Sequence, residues 1–86
     1  MIVRVVPGKY RHFKGGHYNV IGVATGTEDG GKAVVYQALY GAHCYELAHR
    51  PLEMFCEHVE RDGYKGPRFV LIEAYPEPTV AVPYKD

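Results

Sequence analysis

Two β-prone runs joined by Gly15-Gly16 constrain the fold of this chain more than any other feature of its sequence. A tight turn that matches the twist of its flanking strands needs positive φ at its central residues, and glycine adopts positive φ without steric cost. The sequence therefore predicts a β-hairpin over residues 10–20, with Gly15-Gly16 as its two-residue loop.

The length of this loop decides which side chains share a face. A two-residue loop pairs Lys14 with His17 and Arg11 with Val20, and side chains then alternate between the two faces of the hairpin. One predicted face is core, with Phe13, Tyr18 and Val20; the other is polar, with Tyr10, His12, Lys14, His17 and Asn19. A three-residue loop would shift the pairing and dissolve this sorting.

Other strands are predicted from β-branched, aromatic and alternating residues: Met1–Val6, Val20–Ala24, Lys32–Tyr40, Cys44–His49 and Phe69–Ile72. Gly22 indicates a bulge, Thr25–Gly31 a solvated hairpin loop, and Asp62-Gly63 a further turn. Pro51 opens one short helical turn that buries Leu52 and Phe55. These elements predict a mainly β fold: a small SH3-like β-barrel, or a strongly bent antiparallel sheet with one short helical turn after Arg50.

The length of 86 residues suits a single domain, and 47% hydrophobic residues favour a packed core over a disordered chain. We predict one domain over residues 1–75 and a proline-rich C-terminal arm over residues 76–86. No stretch has the length of a signal peptide's apolar core or of a membrane span, which predicts a soluble cytoplasmic protein without a membrane partner. Without a secretion signal, Cys44 and Cys56 are expected to be reduced.

The charges are unevenly distributed although the net charge is zero. No acidic residue precedes Glu28, whereas residues 28–62 hold seven acids against three bases. Zero net charge weighs against a dedicated nucleic-acid binder. However, basic residues alternate with aromatic ones over residues 9–18, a composition that suits single-stranded nucleic acid or another anion. Packing of Phe13 and Tyr18 into the core, with solvated neighbours, accounts for the same run.

Arg50 is a second candidate binding residue, because it stands where the strand meets Pro51 and its guanidinium can clamp a carboxylate or lie against a tyrosine. The alternative is a structural ion pair with Glu46 or Glu53. The predicted binding residues are therefore Tyr10, Arg11, His12, Lys14, His17, Asn19 and Arg50.

The five histidines raise the question of a metal site. On the predicted polar face His12 and His17 are diagonal neighbours whose imidazoles can converge on one ion. No third ligand is identifiable, and Cys44 and Cys56 lack the close spacing of a structural zinc site. We therefore predict no metal, no catalytic residue and no cofactor.

Several motifs in order resemble the domain-of-unknown-function family DUF1653, a group of small bacterial proteins. The motifs are Tyr10–Gly15, Leu39-Tyr40-Gly41, Arg50–Phe55 and Pro67-Arg68-Phe69, and the resemblance spans Gly8 to Phe69. It implies a compact, β-rich cytoplasmic domain and supplies no catalytic residue or ligand. The resulting prediction is a binding or interaction module for a protein or anionic partner, with nucleic acid as one version. The alternative is a small metal-dependent or hydrolytic enzyme using His12, His17 and His49. The oligomeric state is left open.

Overall fold

The computed structural model describes residues 5–76. Five strands form an antiparallel sheet with the order β4-β3-β2-β1-β7, and β5 and β6 form a separate hairpin. The strands are β1 (Gly8–His12), β2 (His17–Thr25), β3 (Lys32–Ala38), β4 (Leu47–Pro51), β5 (His58–Arg61), β6 (Tyr64–Pro67) and β7 (Phe69–Ala74). One helical turn, α1 (Leu52–Phe55), follows β4. The mainly β prediction, with a helical turn after Arg50, is confirmed.

The β1–β2 hairpin exists, but its predicted register is wrong. Tyr10 pairs with Tyr18 and Arg11 pairs with His17, three positions earlier in β2 than a two-residue loop requires. The amide of His12 donates to the Gly16 carbonyl at 2.8 Å, which leaves a three-residue loop over residues 13–15. Gly15 alone of the two glycines has positive φ, at 104°. A turn followed by a left-handed glycine is a common geometry for three-residue hairpins.

This register re-sorts the two faces of the hairpin, because a shift by an odd number of residues turns a strand over. Tyr10, His12, Tyr18 and Val20 share one face. The other face carries Lys9, Arg11, His17 and Asn19. The predicted grouping of Tyr10 and His12 with His17 and Asn19 is therefore wrong.

Side chains from opposite edges of the sheet meet on the Tyr10 face. Arg50 in β4 lies 6.0 Å from the centre of the Phe69 ring in β7. In a flat sheet these strands would lie about 19 Å apart, too far for the two side chains to approach so closely. The sheet is thus strongly bent. We call the Tyr10 face concave and the opposite face convex. β4 and β7 do not pair within residues 5–76, so the described sheet is not a closed barrel.

The concave face holds the core, and α1 closes over it. Phe55 of α1 stacks on Phe69 with ring centres 4.2 Å apart. Apart from these two rings, the buried cluster consists of Tyr10, Val20, Val34 and Tyr36. A helix of four residues has little stability of its own, so its packing through Phe55 accounts for its presence.

The remaining predicted elements differ mainly at their ends. The register shift between Val20 and Gly22 confirms the bulge, and Asp62 and Gly63 form the predicted turn with positive φ at both positions. The strand predicted from Cys44 is wrong over its first residues, because residues 42–45 form a turn in which Tyr45 has a φ of 71°. Val5 and Val6 lie outside any strand; the rest of the predicted first strand and arm residues 77–86 fall outside the described residues.

Candidate functional site

Four cationic side chains lie near enough to the imidazole of His12, at the end of the concave face, to affect its charge state. Partial burial lowers the pKa of His12, and the positive charges of Arg68, Arg50, Lys14 and Arg61 lower it further. We call these five residues the His12 cluster. They come from four places in the fold: β1 and its turn, the end of β4, the end of β5, and the link between β6 and β7. Their combined charge makes this end of the concave face positive.

Aromatic rings form the wall of the His12 cluster. The His12 ring lies 4.5 Å from Phe13 and 5.0 Å from Phe69, measured between ring centres. Arg61 and Lys14 lie 5.4 and 5.9 Å from the centre of the Phe13 ring. These distances are typical of cation–π contacts, which hold a cation beside a ring without neutralising its charge.

Carboxylates contribute little to this cluster. Arg68 is paired with Glu57 through Nη2. Within residues 5–76, Arg50, Lys14 and Arg61 have no carboxylate within ion-pair distance. The alternative of a structural pair of Arg50 with Glu46 or Glu53 is wrong, since neither carboxylate lies within ion-pair distance of Arg50, and Glu46 bonds to His43 instead. The cluster therefore carries excess positive charge on a protein whose net charge is zero.

The proton on His12 is placed by a local hydrogen bond. The backbone amide of Lys14 donates to His12 Nδ1 at 3.1 Å. A neutral imidazole that accepts at Nδ1 carries its proton on Nε2. His12 is thus a hydrogen-bond donor through Nε2.

Two tyrosines extend this end of the concave face. The hydroxyls of Tyr18 and Tyr40 share a hydrogen bond of 2.8 Å. Burial and the bond to Tyr40 raise the pKa of Tyr18, whereas the positive charge of Arg50 acts in the opposite direction. The phenol of Tyr18 is therefore protonated at neutral pH, and a hydrogen bond between two hydroxyls uses only one of their two protons.

The seven predicted binding residues do not lie together in the structure. His12, Lys14 and Arg50 lie together in the His12 cluster. Tyr10 is a core residue whose hydroxyl donates to the Val6 carbonyl at 2.8 Å. The other three, Arg11, His17 and Asn19, lie on the convex face.

On that convex face, the side chain of Asn19 forms hydrogen bonds with two other side chains across the sheet. It donates to Gln37 at 2.8 Å and accepts from the Tyr75 hydroxyl at 2.7 Å. These bonds satisfy both ends of its amide, which gives Asn19 a structural role across β2 and β3.

A shared ion site for His12 and His17 is excluded by the register, because their side chains point to opposite faces of the sheet. Within residues 5–76, no three His, Cys, Asp or Glu side chains converge as metal ligands. Cys44 and Cys56 are both free. Cys56 packs against the core, and burial raises the pKa of its thiol, which disfavours the reactive thiolate.

A groove lies elsewhere, on the convex face. It has a volume of about 610 Å³ and lies between β3, β4 and the loop after β2. Its lining includes Val35, Leu47, His49 and Pro51, and none of the seven predicted binding residues. We place the candidate site at the His12 cluster because charge and hydrogen-bond donors converge there, whereas the groove is mostly apolar.

Sequence reasoning did not identify three members of this site, namely Arg61, Arg68 and Phe69. Arg68 and Phe69 stand in one of the recognised motifs, but their place beside His12 depends on the pairing of β7 with β1. Arg61 lies at the end of β5, and the position of the β5–β6 hairpin brings it to the His12 cluster. Such contacts join residues about fifty positions apart, and no local pattern reports them.

The fold and site define a small, mainly antiparallel β domain with a basic and aromatic concave face. Its residues 8–71 match the model of DUF1653, described as a protein of unknown function, and the chain belongs to this family. The match confirms the resemblance noted in the sequence.

One solved structure shows the same fold. It is the crystal structure of a DUF1653 protein from Bordetella bronchiseptica, which is 32% identical to this chain. Their TM-score is 0.74, and the alignment covers 86% of this chain and 95% of that one. Among proteins with curated descriptions, none matches. Within residues 5–76, the four residues of α1 fall far short of the length that a membrane-spanning helix needs.

Proposed function

We propose that this protein is a binding module whose concave face recognises an anionic partner. The observation that carries the proposal is the placement of cations against the rings that contact His12: Lys14 and Arg61 lie over Phe13. Arg50 lies over Phe69, and the one carboxylate paired in this cluster within residues 5–76 is Glu57, on Arg68. Clustered charges of one sign attract a partner of opposite charge and select against like-charged ones. The proposal keeps the cytoplasmic, bacterial setting that the family resemblance implies.

Two kinds of partner fit this description: an acidic protein segment and a single-stranded nucleic acid. The site supports both through charge. Stacking of bases would need open aromatic faces, but the Phe13 ring is already stacked by Tyr64 at 5.5 Å. Tyr40 is half exposed and offers an accessible ring beside the cluster. The experiment therefore includes one probe of each kind.

The test measures binding of a fluorescent single-stranded RNA oligonucleotide and of an acidic peptide at low salt, by anisotropy. The cluster variant is Lys14→Glu, which reverses an exposed charge in the turn. Its matched control is Lys32→Glu, because Lys32 is also exposed but is the first residue of β3, bonded to Thr25. We expect Lys14→Glu to weaken binding at least about fivefold, since it removes an attraction and adds a repulsion. The control should change affinity less than about twofold.

Failure of both probes to bind at low salt would contradict the proposal. Equal losses in the Lys14 and Lys32 variants would also contradict it, because only overall charge would then matter. A pull-down analysed for both protein and nucleic acid then identifies the natural partner.

A further inference from the structure

The turn after β1 contains a hydrogen bond that exists in one protonation state of His12 only. The backbone amide of Lys14 donates to His12 Nδ1 at 3.1 Å, at an exposed position of the turn. A neutral imidazole with its proton on Nε2 accepts at Nδ1, whereas an imidazolium is a donor at both nitrogens. Protonation of His12 therefore breaks this bond and leaves two donors without an acceptor, Nδ1–H and the Lys14 amide.

Other contacts hold the turn and the imidazole in place without this bond. The His12 amide donates to the Gly16 carbonyl at 2.8 Å, and the Gly15 amide donates to the His12 carbonyl at 2.7 Å. The imidazole packs against the rings of Phe13 and Phe69, at 4.5 and 5.0 Å between ring centres. Because these contacts do not involve Nδ1, the two donors stay close together when His12 is protonated. Donors placed in advance lower the cost of binding an acceptor.

The groups around His12 oppose its protonation in the free protein. Four cations, one from the turn and the others from β4, β5 and the link before β7, lie near it: Lys14, Arg50, Arg61 and Arg68. From β2, the Tyr18 ring lies 6.2 Å from His12 between centres. Among the described residues, the carboxylate in ion-pair contact with these cations is Glu57, on Arg68. Partial burial and the four charges lower the pKa of His12, which is therefore neutral at neutral pH. An anion that offsets these charges favours the imidazolium.

We propose that His12 makes anion binding proton-dependent: an anionic oxygen of the partner accepts from protonated Nδ1 and from the Lys14 amide, and binding takes up one proton. This inference rests on the proposed function and specifies the regulation of the same site. In the neutral state the two groups satisfy each other and offer no donor to an anion. Acidification and anion binding favour the same state of His12, so each strengthens the other by the same factor.

The primary test follows the titration of His12 by NMR and needs no variant. Sulfate is the probe, because its charge is constant over the range of about pH 5–8 in which histidine titrates. Sodium chloride at equal ionic strength is the comparison, since it screens the cations equally but supplies no oxygen acceptor. We expect sulfate to raise the pKa of His12 saturably above its value in chloride, because a bound anion stabilises the imidazolium. The Lys14 amide signal should titrate with the same midpoint as His12, because it loses its acceptor.

His12→Asn removes the titration, because an asparagine side chain can accept from the amide two residues on but has no proton to gain. The probe is a fluorescent oligouridylate, whose uracil and phosphodiester groups keep their charge over this range. We expect the wild type to bind it at least about fivefold more tightly at about pH 5.5 than at about pH 7.5, and His12→Asn to differ less than about twofold. His17→Asn is the matched control, since His17 is exposed on the convex face, and it should retain the wild-type pH dependence. Thermal melting verifies that both variants fold, and the wild-type sulfate titration decides the matter if His12→Asn does not.

The outcomes separate this inference from the proposed function. An equal pKa of His12 in sulfate and chloride, or a Lys14 amide that does not titrate with His12, would overturn the proton-dependent contact. The same pH dependence in His12→Asn as in the wild type would also overturn it. If RNA or acidic peptide still binds in those cases, the proposed function stands alone. If sulfate raises the pKa of His12 saturably while neither polyanion binds at low salt, the proton-dependent contact stands and the proposed function falls.

Discussion

At the scale of single residues, Gly15 and Gly16 are neighbours that exclude side chains for different reasons. Gly15 has a φ of 104° with open space around it, so a methyl group there meets backbone strain but no atom. A methyl group on Gly16 would overlap the Tyr40 ring. The first constraint is conformational and independent of the surroundings, whereas the second depends on one side chain.

This difference predicts the result of a double-mutant cycle. We expect Gly15→Ala to lower the free energy of unfolding by about 1 kcal/mol, because a left-handed conformation is unfavourable for alanine. That cost should be the same when Tyr40 is replaced by alanine. The cost of Gly16→Ala should largely disappear in the Tyr40→Ala background. Urea unfolding of the three single and two double variants measures these terms, and a neutral Gly15→Ala would show that the loop is not residues 13–15.

The two glycines also show why the site predicted from the sequence grouped the wrong residues. Adjacent glycines permit either a two-residue or a three-residue loop, and nothing local distinguishes them. The observed choice moves His17 and Asn19 to the convex face and leaves His12 with Lys14. His12, Lys14 and Arg50 could be selected by residue type, but their grouping required the register and the bend of the sheet.

At the scale of elements, one turn and one strand with strong local signals were predicted correctly. Asp62-Gly63 turns with positive φ at both residues, and Lys32–Ala38 forms the strand expected from its alternation. The β4 strand starts later than predicted because the preceding residues turn through Tyr45. The Asp62-Gly63 turn favours pairing of β5 with β6, but four-residue strands contain too little pattern to show that this hairpin lies outside the main sheet.

Whether α1 depends on packing against the sheet can be tested by comparing two neighbouring residues of this helical turn. Phe55 is 3% exposed and stacks on Phe69, whereas its neighbour Met54 is 46% exposed. We expect Phe55→Ala to cost about 3–5 kcal/mol, which approaches the total stability of a domain of this size. Met54→Ala should change the free energy of unfolding by less than about 0.5 kcal/mol. Circular dichroism during urea unfolding compares the two, and similar costs would contradict the assignment of Phe55 as the anchor of α1.

At the scale of the whole molecule, zero net charge and a positive concave face have opposite effects on binding. Long-range attraction of a polyanion is weak, because the acidic segment offsets the basic one beyond the Debye length of about 8 Å. Under the proposed function, attraction of a partner by the His12 cluster acts mainly at short range. The salt dependence of the binding constant should therefore reflect the number of cations in the His12 cluster and not the net charge of the protein.

Four cations on the concave face set an upper limit for this dependence. Each phosphate neutralised on a single strand contributes a slope of about −0.7 to the logarithm of the binding constant against that of the salt concentration. Four contacts give a slope of about −3 at most. We expect a value between about −2 and −3 for single-stranded RNA, and a decrease in magnitude of about 0.7 or more for Lys14→Glu. A slope well beyond −3 would mean that the strand also contacts the convex face, where Lys9 and Arg11 lie.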